Sequence, residues 1–242
     1  MNLFYDLNAQ EGLHLLADDE ARHLIRVLRR RVGDEVQVVD GKGTTYVGVV
    51  SELTKTSCTL DLRKSEQKTV RSTQPITLAV GPTKKADRME WLVEKATEIG
   101  FDALQPVLCA HGERPKLRLD RLQKSAVSAM KQSLQSHLPA IKDMISLQAL
   151  LSIANEDQKF IAYLGEELSD TPKNLIEAYT PQPGRGVSIL IGPEGGFSSA
   201  EVGKAREFGY LPVRLGPNRL RTETAALYAI QCINIAQNLA RD

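Results

Sequence analysis

Two short glycine-bearing segments hold the residues whose types and spacing suit chemistry. The first is Ile191-Gly192-Pro193-Glu194-Gly195-Gly196-Phe197-Ser198, which follows an apolar run and precedes a helical pattern. Glycines at the carboxyl end of a buried strand let backbone amides and carbonyls approach a ligand with no side chain between. Open α/β sheets bind their ligands at that edge. The segment lacks both the G-x-G-x-x-G spacing of a dinucleotide site and the lysine of a P-loop, which disfavours those two classes. A tight turn with no ligand is the competing reading. The second segment is Leu215-Gly216-Pro217-Asn218-Arg219-Leu220-Arg221-Thr222-Glu223-Thr224-Ala225, again between an apolar run and a helix. Its Arg221 falls beside a helix N-terminus, where a cation opposes the local dipole. That placement points to a nearby ligand or partner, though an ion pair with Glu223 would also account for it.

The elements that must position these loops alternate between strand and helix. Apolar runs at Ile76–Val80, Ala103–Leu108, 159–163, Val187–Ile191 and 211–215 read as strands, the central ones parallel and buried. Asp87 with Glu90 has the spacing of a capping box for a helix that buries Met89, Leu92, Val93 and Ala96. Leu122, Ala126, Ala129 and Met130 mark a second helix. Ser198 and Glu201 make a capping-box pair for a third, and Thr222 or Thr224 can cap a last one with Ala226, Leu227, Ile230 and Ile233 inside. Residues 74–242 therefore read as an α/β domain. Residues 1–70 read differently. Strands at Glu35–Val39, 44–52 and 57–62, with an Asp40-Gly41-Lys42-Gly43 hairpin, suggest a small β-barrel. It carries one helix, with Asp18-Asp19-Glu20 at its start, Ala21, Leu24, Ile25 and Leu28 on the inner face, and Arg22, Arg26 and Arg29 outward. The polar stretch 64–74 is the boundary.

Composition narrows the class. Of 242 residues, 42% are hydrophobic and 25% charged, enough to bury a core. No run of about 18 apolar residues occurs, so no membrane span is expected. Nothing resembles a secretory signal, so a cytoplasmic protein is expected. Cys58, Cys109 and Cys232 are far apart and read as reduced thiols with no metal site. The net charge is only +1, but Arg22, His23, Arg26, Arg29, Arg30 and Arg31 cluster, as do Arg114, Lys116, Arg118, Arg121 and Lys124. Local basic patches on a near-neutral chain suit a selective RNA contact better than bulk phosphate binding. A merely solvated face is the alternative.

The two loops together, Ile-Gly-Pro-Glu-Gly-Gly-Phe-Ser and Leu-Gly-x-x-x-Leu-Arg-x-Glu-Thr-Ala, in this order and spacing, resemble the SPOUT methyltransferases. Among those they are similar to the RsmE family, which methylates N3 of a uridine in 16S ribosomal RNA. His23-Leu24-Ile25-Arg26-Val27-Leu28-Arg29 with Gly33-Asp34 and Asp40-Gly41 resembles the N-terminal PUA-like barrel of that family. Asp87-Arg88-Met89-Glu90 through Lys95-Ala96-Thr97-Glu98-Ile99-Gly100, and Gln132-Ser133 with Pro139, match further segments, so the likeness covers nearly the whole chain. One departure stands out: Leu134-Gln135 occupy the place of the usual Gly-Arg.

The resemblance implies a C-terminal SPOUT domain with a trefoil knot and a mostly parallel sheet, behind a small PUA-like β-barrel. It implies S-adenosylmethionine as cofactor, held by Gly192, Pro193, Glu194, Gly195 and Gly196 on one side. Leu215, Gly216, Leu220, Arg221, Thr222 and Ala225 would hold it on the other, with Leu164 and Gly165 nearby. It also implies a homodimer acting on 16S ribosomal RNA within the 30S subunit, with no metal. Uracil N3 attacks well only after losing its proton, so a base or an anion-stabilising cation is needed. Arg221 is the candidate cation. Glu223 is a candidate proton acceptor, or a residue that orients Arg221. RNA contacts would come from Arg22, His23, Arg26, Arg29, Arg30 and Lys42, with Arg88 in the second domain. Methylation of a ribose 2′-oxygen, and a non-catalytic RNA-binding dimer, are the rival readings.

Overall fold

The structure, a computed structural model, describes residues 3–67, 71–72, 74–163, 165 and 171–240. They fall into two units, Met1–Arg71 with Val127–Leu138, and Ser72–Ala126 with Pro139–Asp242.

The first unit opens with β1 (Leu3–Tyr5), β2 (Gly12–Leu15) and the short α1 (Asp18–Arg22), which runs into a π-helical turn at His23–Val27. Three longer strands follow: β3 (Glu35–Val39), β4 (Thr44–Leu53) and β5 (Cys58–Gln67). The strand order is β1-β3-β4-β5-β2, antiparallel except for the β1–β3 pair. Alternation along the strands sends Val36, Val38, Tyr46, Val50, Cys58, Leu60 and Leu62 into one core with Phe4, Ala21 and Leu24. The two edges of this order, β1 and β2, are joined by side chains. Asp6, just after β1, accepts from His14 Nε2 of β2 at 3.1 Å, from Ala17 N at 3.1 Å and from Asn8 N at 2.9 Å. Both Asp6 and His14 are buried, so the link that closes the barrel is shielded from water.

Three details differ from the sequence reading. The helix expected over 21–28 is regular only to Arg22. Then Leu28 N donates to His23 O, the wider π spacing, and Arg30 N reaches back to Leu24 O while Arg29 takes a φ of 51°. Strand β5 continues to Gln67, through residues taken as boundary, because β4 supplies its ladder partners although both faces of that stretch are exposed. Residues 127–138 also belong to this unit. Lys131 Nζ bonds both oxygens of Glu20 (2.6 and 2.8 Å), and Gly43 N and Ser136 O pair at 2.9 Å behind the hairpin tip. Leu134 sits there at φ 55° with 64% exposure. That left-handed conformation suits glycine, the residue usual at this place in the resembling family.

The second unit is a parallel sheet in the order β12-β10-β11-β6-β7-β8, with β9 also on β7. In chain order it comprises β6 (Ile76–Val80), α2 (Ala86–Ile99), β7 (Ala103–Leu108), α3 (Leu119–Gln132), β8 (Ala140–Ile141) and β9 (Ile145–Ser146). Then come α4 (Leu147–Ile153), β10 (Gln158–Ala162), α5 (Leu175–Ala178), β11 (Val187–Ile191), α6 (Ser199–Glu207), β12 (Leu211–Val213) and α7 (Thr222–Leu239). From Val127 onward α3 belongs to the first unit. All five residues of β11 are buried, as an apolar run between two parallel neighbours requires. Since every strand points the same way, the loops after β10, β11 and β12 leave the sheet at one edge. The α6 capping box forms, with Ser198 N bonded to Glu201 Oε2 at 2.8 Å. The one expected for α2 does not. That helix begins at Ala86 with Lys85 as an uncapped N-cap, and Asp87 Oδ1 accepts from Arg88 N instead. A helix starting two residues early puts Asp87 inside the first turn, where a carboxylate still meets the positive end of the dipole.

Asp6 serves three donors at the seam of the barrel. Asp6→Ala is expected to destabilise the protein by about 2–4 kcal/mol, since buried donors would be left unpaired. Asp6→Asn, which keeps an acceptor oxygen, recovers part of that loss; equilibrium denaturant unfolding monitored by circular dichroism measures both.

Candidate active site

At the carboxyl edge of the parallel sheet lies a cavity of about 890 Å³. Its base is the end of β10, at Ala162, Tyr163 and Gly165, with Ile191 and Val213 from the neighbouring strands. One wall is the loop after β11. There the chain turns over Pro193-Glu194-Gly195-Gly196, closed by Gly196 N donating to Pro193 O at 2.8 Å. Gly196 adopts φ 70°, open to glycine at little cost, and a Cβ on Gly192 would lie 3.2 Å from the Gly196 backbone. The opposite wall is the loop after β12, through Leu215, Leu220, Arg221, Thr222 and Ala225.

The two walls are bonded to each other. Thr222 Oγ1 donates to Gly192 O at 3.0 Å. The sequence reading gave Thr222 or Thr224 a capping role, but Arg221 is the N-cap of α7 and has no side-chain cap bond. Thr222 is the first residue inside the helix, too late to cap it, so its hydroxyl is available for the facing loop.

Of the residues singled out as cofactor-holding, Gly165, Gly192, Pro193, Glu194, Gly195, Gly196, Leu215, Leu220, Arg221, Thr222 and Ala225 all line this cavity. Gly216 is in the second loop at φ 90° but is not a wall residue, and Leu164 lies outside the described residues. Sequence reasoning did not single out Tyr163, Phe197 or Arg219 for the lining. Tyr163 ends a run already read as a strand, and Arg219 stands in a loop already marked, so the signal was there. Gly81 was also missed. A Cβ on it would fall 2.5 Å from Pro193 Cδ and 2.7 Å from Pro193 N, while Gly81 N donates to Ile191 O at 2.9 Å. Glycine there lets the chain leaving β6 run close under the loop after β11.

The charged candidates separate. Arg221 is exposed on the cavity wall. Glu223 does not pair with it. It is 7% exposed, off the wall, with Oε1 3.6 Å from Arg88 Nε of α2 and Oε2 without a hydrogen-bond partner. In the first unit, Arg22 pairs with Asp19 and Arg30 with Asp34 at 3.8 Å. The His23 ring meets Phe4 edge-on at 6.3 Å, and Arg26, Arg29 and Lys42 are exposed. The second basic stretch is largely spent on local structure: Arg114 donates to the carbonyls of Thr83 and Lys84, Arg118 pairs with Asp120, and Arg121 lies 3.6 Å from Glu90. Burial pushes the Cys109 thiol up to about 12 and Cys58 to about 11, so both stay protonated and unreactive near neutrality. Among the described residues no cluster of three metal-ligating side chains occurs, and no helix is long and apolar enough to cross a membrane.

Known proteins are similar to this chain in sequence and fold. A family model described as the RNA methyltransferase domain matches residues 70–234, and one described as the RNA methyltransferase PUA domain matches residues 16–63. The crystal structure of a probable rRNA-methyltransferase from Porphyromonas gingivalis is 38% identical, covers 100% of both chains and superposes with a TM-score of 0.90. A ribosomal RNA small subunit methyltransferase E from Neisseria gonorrhoeae, solved bound to S-adenosyl methionine, is 29% identical over 97% of each chain with a TM-score of 0.83. The protein of that same designation from Bacillus subtilis is 29% identical across 93% of this chain and 91% of its own length.

The close approach at Gly81 makes a direct test. Gly81→Ala is expected to cost about 1–3 kcal/mol, as overpacking against a proline ring does. Gly203→Ala in α6, where an added Cβ meets nothing within 4 Å, is expected to be neutral or stabilising. Thermal unfolding of the two variants should move in opposite directions or leave Gly203→Ala unchanged.

Proposed function

This chain belongs to the RNA methyltransferase family, as an enzyme that uses S-adenosylmethionine to methylate small-subunit ribosomal RNA, and we propose that its acceptor atom is N3 of a specific uridine in 16S RNA. The observation that carries the reading is the pair of loops bonded through Thr222 and Gly192 around one cavity, with Arg221 on its wall. The cofactor fits the residues present. The cavity volume is within the range of roughly 300–1,000 Å³ usual for small-molecule sites. Its walls combine bare glycine backbone, which can bond polar edges, with Phe197, Leu215 and Leu220 for apolar contact. When bound, S-adenosylmethionine supplies an already activated methyl group, so the protein mainly aligns and excludes water.

The chain's own residues then divide the work. The N3 proton passes to solvent water, the negative charge left behind lies on the uracil oxygens, and Arg221 stabilises that charge as N3 takes the methyl group from the donor's sulfur. As an always-protonated group it does not serve as the base. Glu223 faces α2, so in this reading it acts through Arg88, holding that guanidinium for RNA phosphate. The face with Arg22, His23, Arg26, Arg29 and Arg30, together with Lys42, grips the RNA backbone. The target uridine leaves its stack to reach the cavity, at a cost of a few kcal/mol. The knotted path implied by the resemblance belongs to the same proposal. So do a cytoplasmic location, the 30S subunit as substrate, and a homodimer. Tyr228, Ile235 and Leu239 of α7 leave exposed apolar surface for a second copy.

Methylation of 30S subunits lacking the modification tests the assignment. A new primer-extension stop marks N3 methylation, because that position pairs; a ribose 2′-O-methyl gives none and would defeat the proposal. Arg221→Ala is expected to lower kcat about 100-fold or more. Arg26→Ala is expected to leave kcat in place and to weaken RNA binding, with the salt slope smaller by about one.

A further inference from the structure

We propose that His111 is a positioning residue for the methyl-donor site, an inference that rests on the cofactor reading above. Residues 109–118, between β7 and α3, form no regular element, yet they are fastened to the loop after β11. Ala110 N donates to Glu201 Oε1 at 2.7 Å, and His111 Nδ1 lies 3.1 Å from Gly195 O. Arg114 holds the carbonyls of Thr83 and Lys84, Lys84 N donates to Glu194 Oε1 at 3.0 Å, and Lys84 Nζ pairs with Glu113 at 2.7 Å. The strap therefore touches the Gly195 carbonyl directly and reaches the Glu194 side chain through Lys84.

The His111 contact has a purpose in this position that a purely structural bond would not need. Two consecutive glycines form the softest dipeptide a chain can carry, and ordering them on ligand binding would weaken affinity. Gly195–Gly196 is the peptide on the cavity wall, and it is held at both ends. Its N–H, from Gly196, donates to Pro193 O at 2.8 Å, and its carbonyl, from Gly195, accepts from His111. A carbonyl can only accept, so the imidazole must carry its hydrogen on Nδ1. The fit is also close: a Cβ on Gly195 would lie 2.7 Å from His111 Cβ. His111 thus sets the wall before the donor arrives, which bears on donor affinity and not on the transfer step.

Calorimetric titration of the full-length protein with S-adenosylmethionine, without RNA, reads this directly. His111→Ala is expected to weaken binding roughly three- to tenfold, the worth of one net hydrogen bond, with kcat at saturating donor within about twofold of the parent. His111→Asn places an amide nitrogen near the Nδ1 position and should restore affinity. His111→Gln, whose amide reaches the Nε2 position, should not. Long-range proton–nitrogen NMR of the free protein at pH 8, assigned by comparison with His111→Asn, should find the ring hydrogen on Nδ1. Unchanged affinity in His111→Ala, equal rescue by Gln and Asn, or a hydrogen on Nε2 would each overturn the assignment while leaving the donor site standing. A parent protein that takes up no S-adenosylmethionine would remove both.

Discussion

The bond between Thr222 and Gly192 is the constraint on which the site depends. Strands β11 and β12 are not neighbours; β10 lies between them in the sheet. Their loops therefore leave the edge on either side of the β10 terminus and would flank an open trough. One hydroxyl reaching a glycine carbonyl across that trough converts it into a bounded cavity with the end of β10 as its base. Everything chemically useful is referred to this junction. Arg221 is oriented because the residue after it is tied down, and the Pro193–Gly196 turn is oriented because its first glycine is the acceptor. The central, fully buried β11 gives the junction a stiff support.

Much of this was legible in the amino-acid order, for a physical reason. Buried parallel strands must be apolar on both faces, so Val187–Ile191, Ile76–Val80 and Ala103–Leu108 announce themselves. Both glycine-bearing loops follow such runs, which places them at one sheet edge before any coordinates are known. The Ser198–Glu201 box is likewise local, needing only the spacing of its two residues. What was not legible depends on partners distant in sequence. Thr222 reads as a cap until Gly192 is brought to it. Glu223 reads as a partner for Arg221 until α2 delivers Arg88 on its other side. Residues 127–138 carry no mark of joining the barrel, because their fasteners are Glu20 and the hairpin backbone, about a hundred residues earlier. His111 is a lone exposed histidine in an irregular stretch, and no pattern distinguishes it from a solvated one.

Positive charge is used differently in the two basic clusters. In the second basic stretch Arg118 and Arg121 face nearby acids and Arg114 donates to backbone carbonyls. The π turn and the residues after it expose Arg26 and Arg29 to solvent with no ion pair to another described residue, the condition under which a guanidinium can exchange water for phosphate. Arg29 and Leu134 are also the non-glycine residues with positive φ among those described. Both are in the first unit and both are exposed, so the cost of those conformations is borne by the barrel and its attached loop, not by the donor cavity.

The absent clearance between Gly81 and Pro193 has a consequence for how such a sequence can drift. Two positions 112 residues apart share one volume, and a methyl group gained at the first would meet the backbone nitrogen of the second as well as its ring, so loss of the ring alone does not make room for it. The ring also shapes the turn that presents the glycines, and its loss alone would loosen them. Glycine at position 81 is thus fixed by a backbone contact that no side-chain change at 193 can release, whereas the proline is held only by the turn it shapes.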